Sequence, residues 1–243
     1  MSGHSKWATT HRQKAVVDAK RGAVFTKLGN MIAIAARGGT DPGMNPNLAM
    51  AIEKAKQSNM PAANIDRAIA RVADKNAAVL EEVVYEAYGP GGIGLIIEAA
   101  TDNRNRTFPE VKTALTKHGG SVAEPGSVAF QFTRQGVIRL DLADQPANFA
   151  SADDLLLQVL DCGAADATED DGEITAYTDM KDLHKVRENL TRAGLKIADA
   201  GLEYVANTPV EISGDMAEKF ERLYDALDEL DDVQSIWTNA EVN

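Results

Sequence analysis

The stretch Ala164-Ala-Asp-Ala-Thr-Glu169, Asp170-Asp-Gly172, Glu173-Ile-Thr-Ala-Tyr-Thr178 reads as two short strands joined by a tight acidic turn. Working outward, a strand at Val137–Leu140 and a helix at Ala152–Leu160 precede it. A helix at Met180–Ala193 and a strand at Leu195–Val205 follow it. The order is βαββαβ, the split-βαβ arrangement that closes an antiparallel sheet with both helices on one face.

Either side of this unit lie two incomplete pieces. Upstream, Val83–Tyr88 and Gly94–Ala99 read as strands joined at Gly89-Pro90-Gly91-Gly92. Thr107-Phe-Pro-Glu110 matches a capping box opening a helix through Val111, Ala114 and Leu115 that stops at His118-Gly119-Gly120. Strands at Ser121–Ala123 and Ser127–Thr133 come next. Downstream, a helix at Asp215–Leu230 carries Phe220, Leu223, Leu227 and Leu230 at core spacing, before a strand at Val233–Trp237. Neither piece closes a core alone. The expectation is that 77–134 and 208–243 join into a second ferredoxin-like βαββαβ domain, with 135–207 inserted between its halves.

Residues 1–76 read as a small helical bundle. Val24, Leu28, Met31, Ile32 and Ala35 form one amphipathic face, ended by Gly38-Gly39. Asn45 before Pro46 marks an N-cap with proline at the first helical position, Pro61 opens a further helix, and a helix from about Ala8 to Lys20 precedes them all. The fold class is therefore multidomain, α and α+β.

Charge divides the chain at the same place. Residues 1–76 hold 12 Lys or Arg and 5 Asp or Glu, net +7, while 77–243 hold 13 and 32, net −19. A basic head on an acidic body marks where a polyanion docks. Its candidate contacts are Lys6, Arg12, Lys14, Lys20, Arg21 and Lys27. Trp7 could stack on a base, although a tryptophan beside amphipathic helices is more often core. Arg104 and Arg106, in Asp102-Asn-Arg-Asn-Arg-Thr107, precede the expected helix start, where an anion is favoured; the alternative is that they pair with the domain's acids.

Other motifs have plainer readings. Gly89-Pro-Gly91-Gly-Ile-Gly94 satisfies G-x-G-x-x-G, but a strand follows it and Pro90 lacks an amide, so a hairpin turn is the better reading. Asp170-Asp171-Gly172-Glu173 fails the calcium-loop pattern. His4, His11, His118 and His184 are scattered, with no ligand spaced to complete a zinc site. No catalytic constellation is spaced in the chain, so no enzyme, cofactor or metal is expected. The single cysteine, Cys162, excludes an internal disulfide and suits a reducing compartment, the cytoplasm. No apolar run reaches membrane-spanning length, and nothing signals a dimer, so a monomer is expected.

The chain resembles the YebC/PmpR family, which includes the mitochondrial translational activator of cytochrome oxidase subunit one. The resemblance is carried by Gly3-His-Ser-Lys-Trp7, Asp18-Ala-Lys-Arg-Gly22, Phe25-Thr-Lys-Leu28, Asn59-Met-Pro61, Tyr88-Gly-Pro-Gly-Gly92, Thr101-Asp-Asn-Arg-Asn-Arg-Thr107, His118-Gly-Gly120 and Gly126-Ser-Val-Ala-Phe130. It departs at Gly29-Asn30, where relatives commonly carry charge, at Ala87, and at Ala123-Glu124-Pro125. The resemblance implies a helical domain followed by two α+β domains and a non-enzymatic regulator of gene expression. Bacterial members are usually described as DNA-binding transcriptional regulators. Others are described as ribosome-associated translation factors acting at proline-rich stretches, for which ribosomal RNA and ribosomal proteins would be the partners.

Overall fold

The structure, a computed structural model, describes residues 21–73, 78–146 and 151–242. In chain order the helical region holds α1 (Arg21–Ala36), α2 (Pro46–Gln57) and α3 (Ala62–Ala70). Then come β1 (Glu81–Tyr88), β2 (Gly94–Thr101), α4 (Arg104–Lys117) and β3 (Ser121–Val122). β4 (Phe132–Asp141), α5 (Ala152–Asp161), β5 (Asp166–Asp170), β6 (Glu173–Thr178), α6 (Leu183–Arg192) and β7 (Asp199–Ala206) follow. β8 (Val210–Ile212), α7 (Asp215–Asp228), β9 (Val233–Thr238) and β10 (Ala240–Val242) end the chain. Two compact units divide it, one spanning 134–204 and the other holding the residues before and after.

In the helical region Leu28, Ile32 and Ala36 of α1 pack with Leu48, Ala51 and Ala55 of α2, Met60 and Ile65. Asn45 fixes the α1–α2 corner from both sides. Its Oδ1 accepts from the Leu48 amide at 3.1 Å, while its Nδ2 donates to the carbonyls of Ala35 and Gly39 at 2.7 and 2.8 Å. Asn59 ends α2 in the left-handed region, φ 56°, which asparagine tolerates better than most residues. The Met60 amide then reaches back to the Ala55 carbonyl at 2.9 Å, closing the cap.

The 134–204 unit is a four-stranded sheet in the order β5-β6-β4-β7, built from strand, helix, two strands, helix, strand. Ile138 pairs with Ala176 and Leu140 with Ile174. All four are fully buried, as are Val159 and Leu190 on the helices. Burying each large side chain of this kind contributes about 1.5–3 kcal/mol. Asp170 pairs with Glu173, leaving Asp171-Gly172 as a two-residue turn, and both have positive φ as a type I′ turn requires.

The other unit holds a four-stranded sheet in the order β3-β1-β2-β9 and a two-stranded parallel sheet of β8 and β10. This corrects the expected second βαββαβ sheet. β2-α4-β3 and β8-α7-β9 occur in sequence, but the place beside β2 is taken by β1. The β1–β2 hairpin runs in register from Tyr88 and Gly94 to Glu81 and Thr101. A strand delivered by the five-residue loop 89–93 closes at lower entropic cost than three residues returning after the 134–204 unit. β8 is left to pair with β10, Val210 beside Ala240. The core of this unit gathers Ile93, Leu95, Ile97, Val111, Leu115, Phe220, Leu223, Leu227 and Ile236.

Two local expectations also change. α4 starts at Arg104, capped by Asn103, whose side chain accepts from the Asn105 amide at 3.1 Å. Thr107 therefore lies inside the helix and makes no capping box with Glu110. Residues 127–131 form no strand; Ala129–Gln131 is a 3₁₀ turn and β4 begins at Phe132. The reason is Glu86, whose carboxylate accepts the amides of Gly126, Val128 and Ala129 at 2.5–2.8 Å and removes them from any ladder. Burial opposes ionisation of Glu86, but these three bonds outweigh it and hold its pKa below the ordinary glutamate value.

Candidate nucleic-acid interface

Of the nine candidate contacts, Lys6, Trp7, Arg12, Lys14 and Lys20 lie outside the described residues, as does the side chain of Arg21 at the start of α1. The expected helix at 8–20 lies there too. The remaining three are placed, and each meets a carboxylate.

Lys27, on α1, is only 15% exposed. Its ammonium donates to the Asp228 carboxylate at 2.7 Å and to the Asp228 carbonyl at 2.6 Å. Asp228 is the last residue of α7, so Lys27 sits where free carbonyls and the helix dipole favour a cation. It joins α1 to α7.

Arg106 is bound by Asp232, its Nη2 lying 2.8 and 3.0 Å from the two carboxylate oxygens, and by Asp102 at 3.1 Å. Asp232 also accepts from Thr101 at 3.1 Å and Thr107 at 2.5 Å, and the two threonine hydroxyls are 2.7 Å apart. Burial opposes ionisation of Asp232, but hydrogen bonds from Thr107, Arg106 and Thr101 outweigh it, and its pKa falls below the ordinary aspartate value. The motif Thr101–Thr107 thus builds a carboxylate site filled by the protein's own Asp232. Arg104 pairs with Glu81 at 2.7 Å, with both side chains more than half exposed, 62% and 54%. An exposed pair of this kind holds weakly and exchanges readily for another anion. Beside it, Tyr85 contacts Phe108, ring centroids 5.9 Å apart, and burial raises the Tyr85 pKa.

The helical region also presents cations that no motif singled out. Arg37, Lys56 and Arg67 are exposed, and Lys54 and Lys56 occupy the last turn of α2. Arg71 donates to buried Asn30 at 3.4 Å, so the asparagine that departs from the family's charged pattern does structural work. The signal for these residues was the same charge count that marked the head; they lacked only a recognisable motif.

The competing motifs resolve as folded structure. The Gly89–Gly94 segment turns one strand into the next, with the Gly89 amide bonded to the Ile93 carbonyl at 2.7 Å. Cys162 is buried, its Sγ 3.7 Å from Gln158 Nε2. Among the described residues no group of His, Cys, Asp or Glu could hold a metal, and no helix is long and apolar enough to cross a membrane.

Two family models match the chain: the TACO1/YebC protein N-terminal domain over residues 5–75, and the TACO1/YebC second and third domain over 80–240. The chain belongs to the TACO1/YebC family. It is 46% identical, over its whole length and 96% of the other chain, to a probable transcriptional regulatory protein of Rhodococcus jostii. It is 45% identical to one from Acidothermus cellulolyticus, over the whole chain and 97% of the relative. A conserved hypothetical protein of Aquifex aeolicus has a similar solved structure, with TM-score 0.86, 40% identity and 98% of each chain covered. The junction of the two TACO1/YebC models, between 75 and 80, falls where the charge of the chain changes sign.

Proposed function

We propose that this protein is a non-enzymatic regulator of gene expression that docks its basic head, residues 1–76, on a nucleic-acid backbone. The supporting observation is the charge division, net +7 before residue 77 and −19 after it. The names of the relatives, probable transcriptional regulatory proteins, agree with a regulator. The reading takes 77–134 with 208–243 as one α+β domain and 135–207 as an inserted second. Lys6, Arg12, Lys14, Lys20 and Arg21 meet phosphate, and Trp7 supports them. Arg104 can leave Glu81 to join them. Lys27 and Arg106 serve as framework, because both are held by acids within the chain.

One observation favours a ribosomal target over duplex DNA. A body of net −19 is repelled along an extended duplex, whereas a one-sided head can enter a cleft of folded RNA. Sedimentation of cell lysate through sucrose separates the two. A ribosome factor travels with ribosomal particles at low salt and leaves them at high salt. Protein that stays at the top of the gradient while retarding a promoter fragment rules out the ribosomal reading.

A further inference from the structure

The segment 140–180 contains eleven Asp or Glu and no Lys, Arg or His. It supplies α5, β5 and β6, at one edge of the 134–204 sheet, and α5 packs on β5 and β6. Helical spacing divides α5 cleanly. Leu155 and Val159 are buried, while Asp153, Leu157 and Leu160, at i, i+4 and i+7, share the outward face with Asp154 and Asp161. Leu157 is 62% exposed and Leu160 40%. The outward face of α5 is therefore a pair of leucines bordered by three carboxylates. The exposed faces of α6 and α7 differ, carrying both signs in the i,i+4 pairs Glu188–Arg192 and Glu218–Arg222.

We propose that this face of α5 docks a cationic polypeptide, one that carries apolar side chains between Lys or Arg residues. Charge complementarity selects the occupant. The same face of a second copy would bring three carboxylates against three, and a nucleic acid would bring phosphates; like charges in contact exclude both. A cationic segment relieves the repulsion among Asp153, Asp154 and Asp161, and its apolar side chains cover the leucines. The inference rests on the 134–204 unit alone and stands whether or not the basic head binds nucleic acid.

The test titrates the isotope-labelled full chain with a synthetic amphipathic Leu/Lys peptide and, separately, with polylysine of equal charge, following backbone amides by NMR. The Leu/Lys peptide should shift amides of α5 and β5 and bind more tightly than polylysine. Leu157→Ser with Leu160→Ser should weaken it about tenfold, the loss expected when an apolar anchor is removed from such a surface. Nucleic-acid retardation by that variant should not change. Asp153→Asn, Asp154→Asn and Asp161→Asn together should weaken binding and flatten its salt dependence, which keeps the test decisive if the serine variant folds poorly. Equal affinity for the two probes, shifts spread evenly over acidic surfaces such as α7, or full binding by both variants would overturn the proposal.

Discussion

The ammonium of Lys27 binds both the carboxylate and the main-chain carbonyl of Asp228, a residue 201 positions further along the chain. In the sequence Lys27 is one more cation in a basic head. In the structure it closes the C-terminal end of α7 and fastens α1 to it.

Replacing Lys27 by methionine should lower stability by about 1–2 kcal/mol, the range for charge-assisted hydrogen bonds that are not fully buried. Urea denaturation measures this. The salt dependence of nucleic-acid binding should stay as in the parent. A salt slope lower by about one, with stability unchanged, would identify Lys27 as a phosphate contact instead.

Charge reversal at Lys14, Lys20 and Arg21 should abolish nucleic-acid binding and leave the thermal midpoint nearly unchanged, because on this reading their charges serve phosphate and not the fold. Gel retardation and calorimetry on the same preparation check it. A large fall in midpoint would show that these residues serve the fold.

Asp232→Asn should cost about 1–3 kcal/mol at pH 7, since Thr101, Thr107 and Arg106 lose an ionised acceptor. The pH dependence has a definite sign. The folded pKa of Asp232 lies below the unfolded value of about 3.9, so its stabilisation is present above that pH and is lost as pH falls through the folded value. The gap between parent and variant should therefore narrow as denaturation is moved from pH 7 down to 3. A gap that widens in acid would contradict the assignment.

Gly120→Ala tests the motif His118-Gly-Gly120. A Cβ at Gly120 would lie 2.7 Å from the Tyr88 carbonyl and 3.2 Å from Leu115 Cδ2, and backbone cannot yield as a side chain can. Gly119 needs its own positive φ, 80°, to end α4. Gly120→Ala should cost about 1–3 kcal/mol. Gly201→Ala, with nothing within 4 Å of the new carbon, should be close to neutral in the same denaturation assay.

Much of the chain could be read from neighbours in sequence, because the physics there is local. Asn45 before Pro46 caps a helix through its own side chain, and Asp171-Gly172 selects a hairpin through its own φ angles. The strand and helix order of 134–204 follows from periodicities that each element carries alone. The charge division between head and body needs no coordinates at all.

Where a partner arrives from far away, the local pattern misled. Thr107 and Glu110 have capping-box spacing, yet Asp232, 125 residues on, takes the Thr107 hydroxyl, and Asn103 caps the helix. Arg106 looked as ready for phosphate as Arg104, but folding brings Asp232 to one and leaves the other in a solvent-exposed pair. The second sheet departs in the opposite direction, where the sequence neighbour β1 takes a place beside β2 in a sheet that element order read as βαββαβ. Residue types and their spacing state which bonds a segment is able to make. Which of them it makes depends on competitors that only the folded chain brings within reach, and a carboxylate placed by packing, as Asp232 is beside Arg106, outcompetes a phosphate that would have to come from outside.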